Sequence, residues 1–358
     1  MEEWSQWLLQ SLVQRAQDLQ LCSRGELAVL CEEEAQPPAW WSAQLSTSPH
    51  SVLRLIRLAN SAAFSAGKDA SSLEDAIEVL GHTQARHQLL QDLLERLFPA
   101  RGREWIRVAP RWRHVLAVAA CAATLARHCK LHPGEHFVAG LLHDIGQHLL
   151  LKQGGEPYLR LEATFRTDPD PHALARAEKE HLGFDHHTLS AAVAASWGLP
   201  SSVVSMLRDH QRLEQLQKEI APGTHLKRVA IMSLAEEFAA GMGYGIDGGE
   251  AAVVGKEGWK TLLSTLRQSP ANQVLKFNQV ELWWLQRQLV RQVPLVLEVA
   301  RGRNGQLWEG PSLWTRTSRE ALRLTQELQG RLEQLRPAPR PLALPAPATV
   351  AATAPSSV

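Results

Sequence analysis

Apolar residues recur along this chain at helical spacing, and stretches that alternate between apolar and polar residues are almost absent. Proline and glycine divide the sequence into blocks of helix length, so they mark helix ends rather than hairpin turns. One block begins with the sequence SSLE at position 71, which has the form of a capping box, and ends at Gly81. Leu73, Ile77 and Leu80 lie between these ends at helical spacing. The pattern predicts an all-α protein.

The positions of proline and glycine and the changes in composition along the chain predict four segments. We expect an N-terminal helical part in residues 1–100, a helical core in residues 101–243 and a C-terminal helical extension in residues 244–336. Long helices are predicted in the extension, near residues 280–300 and 312–335. Residues 337–358 are rich in proline and alanine and almost uncharged, a composition that cannot bury a core and predicts a disordered tail.

Composition narrows the class of protein. The chain has 358 residues, 44% of them hydrophobic and 21% charged, which is enough to bury a sizeable core. A net charge of +1 provides no general basic field for nucleic acid or anionic lipid. The four cysteines lack CxxC spacing, which indicates reduced packing residues rather than a zinc knuckle or a disulfide framework. Without a signal-peptide pattern or a long enough apolar stretch, we expect a cytoplasmic protein with no membrane contact.

Two helices near the centre are predicted to form an antiparallel hairpin. The first starts after Pro110, which we place at the first helical position, and carries His114 in its first turn. The second ends near Gly146 and carries His143 and Asp144 in its last turn. Antiparallel helices of similar length place the first turn of one beside the last turn of the other. We therefore expect these two histidines and the aspartate to meet.

A second hairpin of the same kind follows along the chain. Asp185 is predicted to cap a helix that carries His186 in its first turn. The next helix places His210 near its end, so we expect His186 and His210 to be neighbours. One further helix offers Glu236 or Glu237 in a mostly apolar setting.

Imidazoles and carboxylates that converge at helix ends suit one divalent transition metal, namely iron, manganese, zinc or nickel. Such a metal would polarise a phosphoryl oxygen and lower the pKa of a bound water, which is the chemistry of phosphoester hydrolysis. The sequence leaves open a buried polar cluster without metal, since such clusters also persist as structure. The candidate ligands are His114, His143, Asp144, His186, His210 and Glu236.

Four blocks of sequence in a fixed order resemble the HDOD domain family, a bacterial signalling branch related to the HD-domain metal phosphohydrolases and the HD-GYP cyclic di-GMP phosphodiesterases. The blocks lie between about residues 36 and 243 and read SVLRLIRLANSAAFSAG with SSLEDAIEVLGHTQARHQLL, AGLLHDIG, LGFDHHTLSAAVAASWGLP, and SMLRDHQ. The resemblance implies a multi-helix bundle of the HD-domain type. It also implies regulatory work in signal transduction without demonstrated general catalysis.

The resemblance assigns roles to single residues and also exposes departures. It matches His114 to the leading histidine, His143-Asp144 to the doublet, His186 to the histidine at a helix start and His210 to the first of a histidine pair. Gln147 stands where the HD-GYP enzymes carry a lysine that is expected to contact phosphate, and Gln211 replaces the second histidine of the pair. Glu236 stands where related enzymes carry an aspartate. We expect a mononuclear metal site without cyclic di-GMP hydrolysis.

Three functions are compatible with these residues. The leading hypothesis is a non-catalytic or weakly catalytic signalling module that acts on a protein partner through helix packing. The first alternative is a metal-dependent phosphohydrolase for a nucleotide or cyclic dinucleotide, with a metal-bound water as nucleophile. The second is a nucleotide receptor without turnover that binds phosphate through the arginines of residues 101–113, among them Arg111 and Arg113. A solvated basic face is the simpler interpretation of these arginines.

Overall fold

Helices form the regular structure of the computed structural model, which describes residues 2–19, 21–61, 64, 70–97, 105–165, 170, 172–245 and 255–300. No strand occurs within these residues, and the predicted all-α class is confirmed. No helix among them has both the length and the apolar character that crossing a bilayer requires. The helices are α1 (Glu2–Asp18), α2 (Arg24–Cys31), α3 (Pro38–Leu45), α4 (Pro49–Ala59), α5 (Leu73–Leu97), α6 (Trp105–His128), α7 (Pro133–Leu142), α8 (Ile145–Phe165), α9 (Ala173–Leu182), α10 (His186–Ser196), α11 (Ser201–Asp209), α12 (Leu213–Glu219), α13 (Thr224–Ala239), α14 (Gly255–Gln268), α15 (Pro270–Leu275) and α16 (Gln279–Ala300).

The N-terminal helices α2, α3 and α4 pack against α5. A capping box begins α2, because the backbone N–H of Glu26 donates to Ser23 while the Glu26 carboxylate accepts from the Ser23 backbone. Glu26 is fully buried and also accepts hydrogen bonds from Ser51 and, at 2.7 Å, from Arg96. A buried carboxylate with this many donors ties three helices of the N-terminal part together.

The start of α5 differs by one residue from the predicted cap. The reciprocal bonds join Ser72 and Asp75, with 3.1 Å from the Asp75 backbone nitrogen to Ser72 Oγ and 2.9 Å from the Ser72 backbone nitrogen to Asp75 Oδ2. Gly81 has a φ of +70°, which favours glycine, as expected of a residue that ends a helix. Helical turns resume directly after Gly81, so the predicted helix end is a kink inside α5.

The central helix α6 begins at Trp105, so the prediction that Pro110 occupies the first helical position is wrong. Proline has a helical φ, so a helix can continue through it, although it loses the hydrogen bond from its own nitrogen and its ring crowds the carbonyl four residues earlier. An alanine-rich stretch of α6 is almost fully buried, and α7, α13 and α16 pack around it. A Cβ atom added to Gly140 of α7 would lie 2.6 Å from the Ala119 Cα, so glycine lets α6 and α7 approach closely.

The last described helix, α16, packs against α6 and α5 and confirms the helix predicted near residues 280–300. Its inner face consists of Leu282, Leu285, Leu289 and Val293, all fully buried. The helix predicted near residues 312–335 and the tail predicted at 337–358 lie outside the described residues. The division of the chain into four segments stays a prediction.

Candidate metal centre

Two hairpins and one further helix bring five side chains together in the interior. These are His114 on α6, His143 and Asp144 between α7 and α8, His210 directly after α11, and Glu236 on α13. His114, His143 and Asp144 each offer one ligand atom, and these three atoms lie within 4.8 Å of one another. The cluster therefore has the composition and spacing to hold a metal ion.

The distances divide the cluster into two contacting groups that share His143. In the first group, His143 Nε2 lies 3.1 Å from His114 Nε2 and 3.3 Å from Asp144 Oδ2. In the second, His210 Nε2 lies 3.1 Å from Glu236 Oε1. His143 Nε2 is 3.9 Å from the same Glu236 oxygen, which joins the groups. His143 Nε2 is therefore the atom that connects the two groups.

Three of the imidazoles are oriented by backbone carbonyls. A carbonyl oxygen only accepts, so Nδ1 of each ring carries the proton, and a neutral ring presents its Nε2 lone pair. Metal-ligating histidines are commonly held in this way through the nitrogen that does not bind the metal. The bonds run from His114 Nδ1 to Tyr244 O at 2.8 Å, from His143 Nδ1 to Gly140 O at 2.8 Å and from His210 Nδ1 to Leu207 O at 3.0 Å.

The Nε2 atoms and the Glu236 carboxylate test whether a metal fits these residues. His210 Nε2 and Glu236 Oε1 are buried and close, yet the pair lacks hydrogen-bond geometry and neither atom has another hydrogen-bond partner within the described residues. His114 and His143, when neutral, place two Nε2 lone pairs 3.1 Å apart. A divalent cation held by His114, His143 and Asp144, whose ligand atoms lie within 4.8 Å of one another, would use the first pair of lone pairs, so these three residues fit one metal, with His210 and Glu236 beside them.

Within the cluster, His143 is the histidine that favours its protonated form. Burial, with a contribution from the nearby His143, lowers the pKa of His114 to about 4 and that of His210 to about 3. Burial also opposes a charge on His143, but Asp144 and Glu236 outweigh it and raise the pKa of His143 to about 9. Burial raises the pKa of Glu236 to about 7. Because metal ligands must be unprotonated, metal binding would displace the His143 proton.

Ser190 of α10 holds the His143-Asp144 segment in place. Its Oγ donates to the His143 carbonyl at 2.8 Å and accepts from the Gly146 backbone N–H at 2.9 Å. A Cβ atom on Gly146 would lie 2.1 Å from the His186 carbonyl oxygen, so the start of α8 lies directly against α10. This contact fixes the direction in which the doublet enters the cluster.

His186 lies next to the cluster but is held by a carboxylate. Its Nδ1 contacts Glu178 Oε2 at 2.6 Å, and the Tyr158 hydroxyl donates to the other oxygen of Glu178. Burial lowers the pKa of His186, but Glu178 outweighs this effect and raises it. His187 packs against His210 with ring centroids 4.5 Å apart, and its ring lies beside that of His186 at 3.9 Å, tilted by 50°. The expected direct pairing of His186 with His210 is therefore replaced by a row of three rings.

Gln147, three residues after Asp144 of the doublet, belongs to a different polar network. Gln147 is buried, and its Nε2 donates to Glu162 Oε1 at 3.4 Å. Arg111 forms an ion pair with the same Glu162 oxygen. Arg113 is half-buried, and burial lowers its pKa. The predicted basic residues Arg101 and Arg103 lie outside the described residues.

Several residues of this region were not predicted from the sequence. Glu178 precedes His186 by eight positions on a different helix, and no spacing rule identifies it. His187 adjoins His186, but adjacent residues on a helix point in different directions. Ser190 follows His186 by one helical turn, which is the spacing that places it on the same face.

A helical bundle that buries a His-Asp doublet against a histidine from the preceding helix defines a domain of the HD type. Residues 27–213 match the family model described as HDOD domain. This chain belongs to the HDOD domain family, as the four sequence blocks predicted.

Two solved structures have the same fold. One is named "Putative phosphohydrolase", from Shewanella amazonensis SB2B, and is 23% identical with a TM-score of 0.53; the match covers 81% of this chain and 97% of that one. The other is an HDOD domain protein of unknown function from Geobacter sulfurreducens, 20% identical with a TM-score of 0.52, over 84% and 92% of the two chains.

An uncharacterized protein of Treponema pallidum (strain Nichols) is 23% identical over 193 residues. That match covers 53% of this chain but only 36% of the relative, so the chain corresponds to about a third of the length of that protein.

Proposed function

We propose that this chain is a regulatory HDOD module without phosphoesterase activity, which binds one divalent transition metal and acts in signal transduction on a protein partner. The metal is iron, manganese, zinc or nickel, since imidazole and carboxylate ligands suit all four. His114, His143, Asp144, His210 and Glu236 would hold it. His186 stays a further candidate, because histidines whose Nδ1 donates to a carboxylate also serve as metal ligands.

The network around Glu162 is the observation that carries the proposal. Positive side chains that bind phosphate oxygens beside the metal stabilise the charge that develops in phosphoryl transfer. Next to this doublet stands the neutral Gln147, and the nearby guanidinium of Arg111 is paired with Glu162. The charge of Arg111 is thus compensated inside the protein. The same ion pair argues against a nucleotide receptor built on Arg111.

A metal in this position would join helices from separate parts of the sequence. The candidate ligands lie on or directly after α6, α7, α11 and α13. A bound metal stabilises only the arrangement in which these helix ends meet, by an amount that grows with metal concentration over its dissociation constant. Metal binding would in this way set the helix packing that a partner protein would recognise.

Metal content and turnover test the proposal together. We expect about one metal per chain in wild-type protein loaded with Fe²⁺, Mn²⁺, Zn²⁺ or Ni²⁺ and measured by inductively coupled plasma mass spectrometry. His143→Ala and Asp144→Ala should lose the metal, whereas His50→Ala, at an exposed position, should keep it. With bis(p-nitrophenyl) phosphate and cyclic di-GMP, wild-type protein should show no turnover above the Asp144→Ala background.

Each result has a defined meaning. Wild-type protein with less than about a tenth of an equivalent of metal would contradict the metal centre. Metal-dependent turnover that disappears in both His143→Ala and Asp144→Ala would contradict the non-catalytic assignment. The regulatory role is tested in the source organism by transcript and protein profiles of a deletion strain complemented with wild-type or Asp144→Ala protein. Profiles that match the parent strain in every case would argue against regulation.

A metal-dependent phosphohydrolase is the second candidate, and one observation favours it. The Asp144 and Glu236 side chains are 12% and 22% exposed, whereas His143 is 1% exposed, so the cluster opens to solvent on its carboxylate side. A metal there would have access to water, which it would activate as a nucleophile. Turnover sensitive to both substitutions would establish this alternative.

A further inference from the structure

A cavity of about 440 Å³ lies where the N-terminal helices, the core and the last helix meet. None of its lining residues belongs to the candidate metal centre. Helices α2, α5, α7 and α16 all contribute to its walls. Its volume is in the range of small-molecule sites. Its lining includes Leu30, Glu33, Arg86, Leu90, Phe137 and Leu295, together with the imidazoles of His82 and His87.

Arg86 of α5 brings a positive charge to this cavity, and no carboxylate of the described residues lies within ion-pair distance of it. One of its terminal nitrogens donates to the Leu30 carbonyl at 2.7 Å, and its buried Nε has no hydrogen-bond partner among the described residues. Burial lowers the pKa of Arg86, which Glu33 and Glu32 oppose only from beyond ion-pair distance. Glu33 itself pairs with Arg127 at 2.6 Å. A partly buried charge with an unused donor favours an anionic partner.

The other walls are apolar or neutral apart from Glu33, whose carboxylate pairs with Arg127. Leu30 and Leu90 are buried, Phe137 is half-buried, and Leu295 is 55% exposed although it is a large apolar side chain. Burial lowers the pKa of His82, and burial together with Arg86 lowers that of His87, so both rings are neutral at pH 7. The buried His82 Nε2 also has no hydrogen-bond partner in this part of the chain. The cavity thus combines the Arg86 cation and two imidazoles with an apolar surface, while the Glu33 carboxylate is engaged by Arg127.

We propose that this cavity binds a small organic anion in which a carboxylate is attached to an apolar body of about ten carbon atoms. The carboxylate contacts a terminal N–H of Arg86. The apolar body lies against Leu90, Phe137 and Leu295 and removes their surface from water. This site is independent of the metal centre and of its proposed function.

Binding of decanoate to the full chain tests the site by isothermal titration calorimetry. We expect one decanoate per chain, and we expect Arg86→Met to weaken the affinity at least about tenfold, because it removes charged hydrogen bonds. Arg57→Met removes an exposed arginine of α4 and should leave the affinity unchanged. Decanol, which has the same apolar body without the charge, should bind wild-type and Arg86→Met protein equally.

A second variant guards against loss of folding in Arg86→Met. Leu295→Trp enlarges a wall residue without changing any charge, and it should weaken decanoate and decanol alike while the melting temperature stays at the wild-type value. Equal affinity of wild-type and Arg86→Met protein, many decanoates per chain, or no binding would overturn the proposal.

Discussion

At the scale of single residues, the partner of each buried imidazole determines what the ring can do. A carbonyl on Nδ1 fixes one tautomer of His114, His143 and His210. A carboxylate on Nδ1 of His186 raises the pKa of that ring and favours its charged form. A protein that buries many neutral imidazoles resists their protonation, and this resistance makes its stability depend on pH.

His148 gives the clearest case outside the candidate ligands. It is buried, which lowers its pKa to about 4, with Lys152 and Arg111 contributing. In the unfolded chain the pKa of histidine is about 6.5. Below pH 6.5 the unfolded chain binds a proton that the folded one does not, so the free energy of unfolding falls as the pH falls towards about 4. His148→Gln should reduce this loss by up to about 3 kcal/mol.

Urea unfolding at several pH values between about 4.5 and 7.5 measures this effect. His50→Gln makes the same chemical change at an exposed position and should follow the wild-type curve. If His148→Gln also follows the wild-type curve, the His148 ring is not held neutral by burial.

The sequence predicted the meeting of His114 with His143 and Asp144 because a short hairpin relates the two helix ends. It did not predict Glu178 or His187. Neighbouring helical residues differ in direction by about 100°, so the rotation of α10 decides whether His186 or His187 faces His210. That rotation is set by packing against α8 and α1, which no local pattern records.

At the scale of helices, the separation of α6 and α7 sets the distance between His114 and His143. Gly140 allows this separation, and its carbonyl also accepts the bond from His143 Nδ1. Gly140→Ala would press a methyl group into the α6 backbone at Ala119, and overpacking of this kind costs about 1–3 kcal/mol. We expect the variant to be less stable and to bind less metal.

Chemical unfolding and metal content of Gly140→Ala measure both effects. Gly245→Ala is the matched control, because a Cβ atom there has nothing within 4 Å and its φ is −63°. If Gly140→Ala keeps the metal content and stability of the wild type, α6 and α7 are not held at their closest approach.

The ends of these helices were predicted unevenly from the sequence. Asp185 caps α10 as predicted, since its carboxylate accepts from the Thr188 backbone at 2.8 Å. Pro110 was interpreted as a helix start but lies inside α6, whereas Gly81, where the prediction ended a helix, has a non-helical backbone that interrupts α5. Proline and glycine in the sequence therefore identify interruptions of a helix more reliably than they identify helix ends.

At the scale of the whole molecule, the candidate metal centre extends beyond the part that matches the family. The HDOD match ends at residue 213, whereas Glu236 and the Tyr244 carbonyl that orients His114 lie further along the chain. The resemblance predicted Glu236, but no side-chain pattern marks a carbonyl. The helices after residue 213 therefore contribute to the same structural unit as the matched part.

The role of α16 can be tested by truncation before residue 277. Removing α16 would expose the face of α6 beneath Leu282, Leu285 and Leu289, which are fully buried. Each buried leucine contributes about 1.5–3 kcal/mol, so this face alone accounts for much of a typical folding free energy of about 5–15 kcal/mol. We expect the shortened chain to lose cooperative unfolding and metal binding, as measured by calorimetry and metal content. A control that ends at residue 300 retains every described helix and should keep both properties. If the chain of residues 1–276 unfolds cooperatively and binds metal, the core folds without α16.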